Sequence, residues 1–167
     1  MIYDEDKVKE LYQKNLGEAS QQLASLPVAE GRKPNITGLN GWVYEQTIHY
    51  CLCQELMALG LSTIVEDVKE QVPLYGRTKV DLLAGNLAIE IKASGSFRGD
   101  AEKYSRYRVI VEKRGWVYCY LAGSDTHKPY RLSIEKTFGK ERCFFLDTKG
   151  DWERFVSEVI KNYKRES

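Results

Sequence analysis

Residues 78–92, Thr-Lys-Val-Asp-Leu-Leu-Ala-Gly-Asn-Leu-Ala-Ile-Glu-Ile-Lys, constrain this chain more than any other stretch. Two apolar, alternating runs separated by Gly85-Asn86 spell a β-hairpin, because glycine supplies the positive φ that tight two-residue turns need. The turn fixes the register, setting Ala84 opposite Leu87, Leu83 opposite Ala88, Leu82 opposite Ile89, Asp81 opposite Glu90, Val80 opposite Ile91 and Lys79 opposite Lys92. One face of such a hairpin is apolar and the other charged. Directly opposed Cβ atoms lie about 4.5–5.5 Å apart, so the two acids are forced together. Two like charges about 5 Å apart at an effective dielectric near 20 repel by about 3 kcal/mol. A positive group should sit between them. A hard divalent cation such as Mg²⁺, with Mn²⁺ as substitute, is often held by one or two carboxylates plus waters, and Lys92 is within reach of a water on that ion. An ordinary solvated sheet face gives the other reading, in which Lys79 pairs with Glu90 and Asp81 with Lys92.

At 167 residues the chain is most naturally a single domain, 1–167, long enough to bury a full core. No apolar run approaches a membrane span, and the N-terminus, Met-Ile-Tyr-Asp-Glu-Asp, is acidic where a signal peptide would be basic, so a cytoplasmic protein is expected. Cys51, Cys53, Cys119 and Cys143 match neither a zinc spacing nor a disulfide framework and read as small hydrophobes. The net charge of +1 does not by itself announce a nucleic-acid binder, but Arg98 to Arg114 carries six basic residues against three acidic ones.

Taken in order, residues 4–24 have apolar groups at helical spacing (Val8, Leu11, Leu16, Leu23) and read as a peripheral helix for packing or self-association. Residues 25–39 form a loop whose Arg32 and Lys33 are solvated or touch a phosphate. Asn40 is the expected N-cap of a helix running to Leu59, with Ile48, Leu52, Leu56 and Leu59 as its buried stripe and Glu45 near its start. His49, one turn later, either lines the same cleft or is a satisfied structural histidine. Residues 62–68 read as a strand and 69–77, with Pro73 and Gly76, as its connection into the hairpin. Gly99-Asp100 opens a helix ending at Gly115 and burying Tyr104, Tyr107, Ile110 and Val111, followed by a strand at 116–121. Beyond come a polar loop with Asp125, His127 and Pro129, an ambiguous stretch at 130–138, and a strand at 143–146. The last helix runs from Asp151 to Lys164 with Trp152, Phe155, Val156, Val159 and Tyr163 inward. The fold class is therefore α/β, a mixed central sheet flanked by helices with extra N- and C-terminal helices.

The spacing Asp81…Glu90-Ile91-Lys92, in a chain whose elements over residues 40–121 follow the order α, β, β, β, α, β, resembles the PD-(D/E)XK, or restriction-endonuclease-like, nuclease superfamily. Val80 stands where that motif often has proline, and Lys79 adds a second lysine to the same face. The resemblance implies that Glu45, Asp81, Glu90 and the Ile91 carbonyl hold Mg²⁺ and that Lys92 works on the attacking water. It also implies a DNA endonuclease, in which Arg98, Lys103, Arg106 and Arg108 meet phosphates. A homodimer would bring two such sites to a duplex. The rival reading is a non-catalytic DNA-binding or assembly module with the same fold, and an RNA-directed nuclease is a third. Nothing in the sequence offers a phosphate loop, an HExxH zinc helix or a GxSxG elbow.

Overall fold

The computed structural model describes residues 1–25, 38–123 and 127–164. Arg32, Lys33 and Asp125, singled out above, lie outside the described residues. At the centre is a five-stranded sheet in the order β1 (Val68–Tyr75), β2 (Thr78–Ala84), β3 (Leu87–Lys92), β4 (Val117–Ala122) and β5 (Cys143–Phe145). β1 to β3 pair antiparallel and β3 to β5 parallel, so the sheet is mixed. Helices α1 (Glu5–Ser25), α2 (Leu39–Ala58), a short α3 (Ser62–Glu66) and α6 (Asp151–Lys164) pack on one face, and α4 (Asp100–Lys113) and α5 (Lys128–Phe138) on the other. From Leu39 to Ala122 the order is helix, three antiparallel strands, helix, strand, with α3 inserted before the first strand.

The hairpin turn falls where its glycine demands. Gly85 has φ 59° and the ladder runs through Ala84–Leu87, Leu83–Ala88 and Leu82–Ile89. Past Leu82–Ile89 the expected pairs do not form, because the Asp81 carboxylate takes over a ladder position: the Ile91 N–H donates to Asp81 Oδ2 at 2.8 Å. Both faces of the hairpin are buried, which corrects the expectation of one charged face. Leu82, Ala84, Leu87, Ile89 and Ile91 pack with Ile48 and Leu52 of α2, whereas Val80, Leu83 and Ala88 pack with Tyr104, Tyr118 and Phe138. A strand paired in parallel across a helical crossover has helices over its faces, so apolar runs replace alternation. A Cβ on Gly85 would lie 2.9 Å from Tyr163 Cδ2, at a φ that side chains disfavour. The left-handed conformation alone costs about 1–2 kcal/mol. Gly85→Ala is therefore expected to lower the urea midpoint of unfolding with its slope unchanged.

Several expected elements differ. Residues 62–66 are helical, since one turn suffices to bury Ile64, with the Ile64 and Asp67 N–H groups donating to the carbonyls of Leu61 and Ile64. The strand lies instead in the segment read as a connection, where Pro73 is tolerated because β1 is an edge strand. α2 is preceded by Gly38 at φ 86° rather than capped by Asn40, and it ends at Ala58, leaving Leu59 exposed. On α4 Tyr104 and Val111 are buried, while Tyr107 and Ile110 are only half-buried against them. The ambiguous stretch 130–138 is helix α5, with Pro129 in its first turn. α6 buries Trp152, Phe155, Val156 and Val159 as its stripe requires. All four cysteines are free, and burial pushes the Cys51 and Cys143 thiols up to about 12. Among the described residues no helix is long and apolar enough to cross a membrane.

Candidate active site

Regular alternation would put Val80 on the face of Leu82 and Ala84, yet Val80 packs with Leu83 and Ala88. The strand therefore breaks phase at Asp81, where the β2–β3 ladder also ends. That break brings Asp81 from the sheet to Glu45 from α2, close enough that the Asp81 charge and a shared hydrogen bond raise Glu45 while the same bond favours ionised Asp81. Glu90 approaches from the α4 side, where the Tyr118 hydroxyl of β4 donates to its Oε2 at 2.8 Å. From β1 the Gln71 amide Nε2 donates to Glu45 Oε2 at 2.9 Å.

All three acids bind their protons more tightly than free carboxylates. Burial raises Glu45 to about 8, with the Asp81 charge and the shared hydrogen bond adding to it and Gln71 working against it. Burial likewise raises Asp81, although the Ile91 N–H, Glu45, Lys92 and Gln71 all favour its ionised form. Glu90 is raised well above the usual range by burial and by the Asp81 charge, against the pull of Tyr118, Lys103 and Lys92. Three negative charges at this place are short of compensating positive charge.

Lys92 is the nearest cation on the hairpin. Its Nζ lies 3.9 Å from Asp100 Oδ2, an oxygen that also accepts the Phe97 N–H and so pins the turn into α4. Glu45, Ile91 and Lys92 line a cleft of about 430 Å³, whose other wall includes Lys9 and Gln13 of α1 and Tyr44 of α2. Asp81 and Glu90 are not part of that lining. Lys79 is exposed opposite Pro73, and it makes no ion pair with Glu90. The histidine of α2, His49, is engaged by Glu70 of β1; burial acts to raise Glu70, but His49 and Gln46 hold it below its usual value.

The basic residues around α4 divide. Arg98 is exposed in the turn before the helix. Lys103 pairs with Asp100 at 3.6 Å, lies over the Tyr104 ring and contributes positive charge toward Glu90. Arg106 reaches Glu102 at 3.9 Å on the outer surface. Arg108 is tied to Glu112 at 2.7 Å and to the Thr137 carbonyl at 2.5 Å, joining α4 to α5. Gln71, Tyr118, Lys9 and Gln13 carry no signal in the sequence. Gln71 sits in what reads as a loop, Tyr118 in an apolar strand and the other two on a helix with no motif.

Among the described residues no three of the His, Cys, Asp and Glu side chains are grouped at metal-binding spacing; the acids stand as the Glu45–Asp81 pair with Glu90 beside it. Comparison of the chain with protein-family models, with curated proteins and with solved structures found no match.

Proposed function

We propose that the chain is a divalent-metal-dependent nuclease of the PD-(D/E)XK kind, hydrolysing phosphodiester bonds in DNA. The observation that carries this reading is the acid cluster itself: the phase break of β2 sets Asp81 against Glu45 of α2, with Glu90 beside the pair and Lys92 acting on Asp81 and Glu90. Its donors are oxygens throughout, the chemistry that Mg²⁺ and Mn²⁺ accept. The buried Tyr104 hydroxyl, on which the Glu90 and Asp81 charges act, has no hydrogen-bond partner.

A bound Mg²⁺ supplies Lewis acidity, making its water more acidic and offsetting the charge that grows on the phosphate. Glu45, Asp81 and Glu90 would give it carboxylate oxygens, with the Ile91 carbonyl a further one by likeness to the superfamily. Tyr118 steers Glu90 through its hydroxyl. Lys92, held by Asp100 at the cleft wall, orients the attacking water and offsets charge in the transition state. Arg98, Lys103 and Arg106 give sequence-independent phosphate contacts, while Arg108 is already engaged in joining two helices. In a homodimer each copy would bring one such site, one for each strand of a duplex.

Purified protein with Mg²⁺ or Mn²⁺ is expected to cut at least one of plasmid, linear, single-stranded and junction DNA, and EDTA to stop it. Raising salt from about 50 to about 200 mM should weaken DNA binding at least tenfold if several phosphates are contacted. An excess of RNA should not compete. DNA bound but left intact in the presence of either metal would favour the non-catalytic module.

A further inference from the structure

We propose that Gln71 is a positioning residue, its amide clamping Glu45 and Asp81 in the arrangement that receives a cation; this rests on the reading of those acids as ligands. Three observations converge on it. Glu70 opposes Leu82 and Val72 opposes Val80, so Gln71 is the residue of β1 that faces Asp81. Its φ is 49°, and it is the one non-glycine with a positive φ among the described residues. Its Nε2 donates to Glu45 Oε2 at 2.9 Å, and the same side chain favours the ionised form of Asp81.

A left-handed residue inside a strand re-aims its side chain relative to the pleat, as bulges do beside active sites. Glycine would adopt this conformation without the steric cost of a Cβ. Glutamine bears that cost and uses the re-aimed side chain: the two N–H bonds of an amide suffice for one oxygen on each acid. The phase break of β2 at Asp81 is its counterpart across the ladder, turning the acid toward the same point. Strain stored at one residue whose side chain bridges two acids fits a role in pre-organisation. Gln71 is exposed at the sheet edge, yet its amide is directed onto Glu45 rather than left to solvent alone.

The test compares the full chain with Gln71→Gly, which removes both strain and amide, and Gln71→Leu, which keeps the strain and removes the amide. Mn²⁺ affinity is read by calorimetry and stability by thermal melting in EDTA. Both variants should bind Mn²⁺ about ten- to a hundredfold more weakly, the usual loss for a group that orients ligands. Gln71→Gly, which relieves the strain that Gln71→Leu keeps, should melt above Gln71→Leu. Wild-type affinity in Gln71→Leu, or a Gln71→Gly protein that melts no higher than Gln71→Leu, overturns the assignment. Wild-type protein that takes up no Mn²⁺ overturns instead the reading of the acids as ligands, so the two failures are distinguishable.

Discussion

Replacing Asp81 by asparagine is expected to cut metal-dependent cleavage by about a thousandfold, roughly 4 kcal/mol of transition-state stabilisation, while making the metal-free protein more stable at pH 8. The two effects have one cause. Asp81 acts on both Glu45 and Glu90, its charge raising the pKa of each. Asparagine removes that charge yet still offers an oxygen to the Ile91 N–H, which donates to Asp81 at 2.8 Å. The sign in the wild type follows from proton counts. Glu45 titrates at about 8 when folded against an ordinary 4.5, so between those values the unfolded chain has lost a proton that the folded chain keeps. Folding stability therefore falls as pH rises across that window, and levels off above it. Asp81 and Glu90, raised in the same direction, add to the fall. Mn²⁺ should reverse the loss, and more at pH 8 than at pH 5, because it binds the ionised acids. Thermal melts of both proteins at the two pH values, with EDTA and with Mn²⁺, check this. A wild-type melting temperature that is flat from pH 5 to 8 in EDTA would contradict the electrostatic account, whatever the cleavage assay gives.

How much of this was legible in the sequence depends on whether the controlling interaction is local. The Gly85-Asn86 turn and the α6 stripe were readable because glycine geometry and helical periodicity act within a few residues. β1 was not, since Lys69, Glu70 and Gln71 fall among its β formers and Pro73 reads as a breaker; only its place at the sheet edge makes it a strand. The run Ile64-Val65 favours a strand by propensity, and a single helical turn that buries Ile64 overrides it. The acid pair was read through direct opposition in a regular ladder. Convergence comes instead from the ladder ending before Asp81 and the phase of β2 breaking there, which no alternating pattern announces. Gln71 and Tyr118 escaped for the same reason: their partners, Glu45 and Glu90, are 26 and 28 residues away in the chain.

The N-terminal segment depends on an acid that sequence periodicity hides among hydrophobes. Glu55 stands one turn before the end of α2, 1% exposed, in a helix face otherwise made of Ile48, Cys51, Leu52 and Leu56. It accepts the Tyr3 N–H at 2.6 Å, the Ile2 N–H at 3.2 Å and the Trp152 indole N–H at 3.4 Å. One carboxylate thus ties the start of the chain to α2 and to the first turn of α6. Glu55→Ala removes the acceptor for all three donors at once. Water can replace it at Ile2, which is exposed, but not at the Trp152 ring, which is buried. With about 1–3 kcal/mol for each donor left unpaired and hydrogen bonds to charge at the upper end, a loss of about 3 kcal/mol is expected. In a chain of this size that lowers the melting temperature by about 10 °C. Glu55→Gln keeps a carbonyl oxygen for the Tyr3 N–H and should lose less than half as much. Amide exchange at Tyr3 separates this account from simple loss of packing. Protection there should vanish in Glu55→Ala and survive in Glu55→Gln, whereas a purely steric role would leave it intact in both.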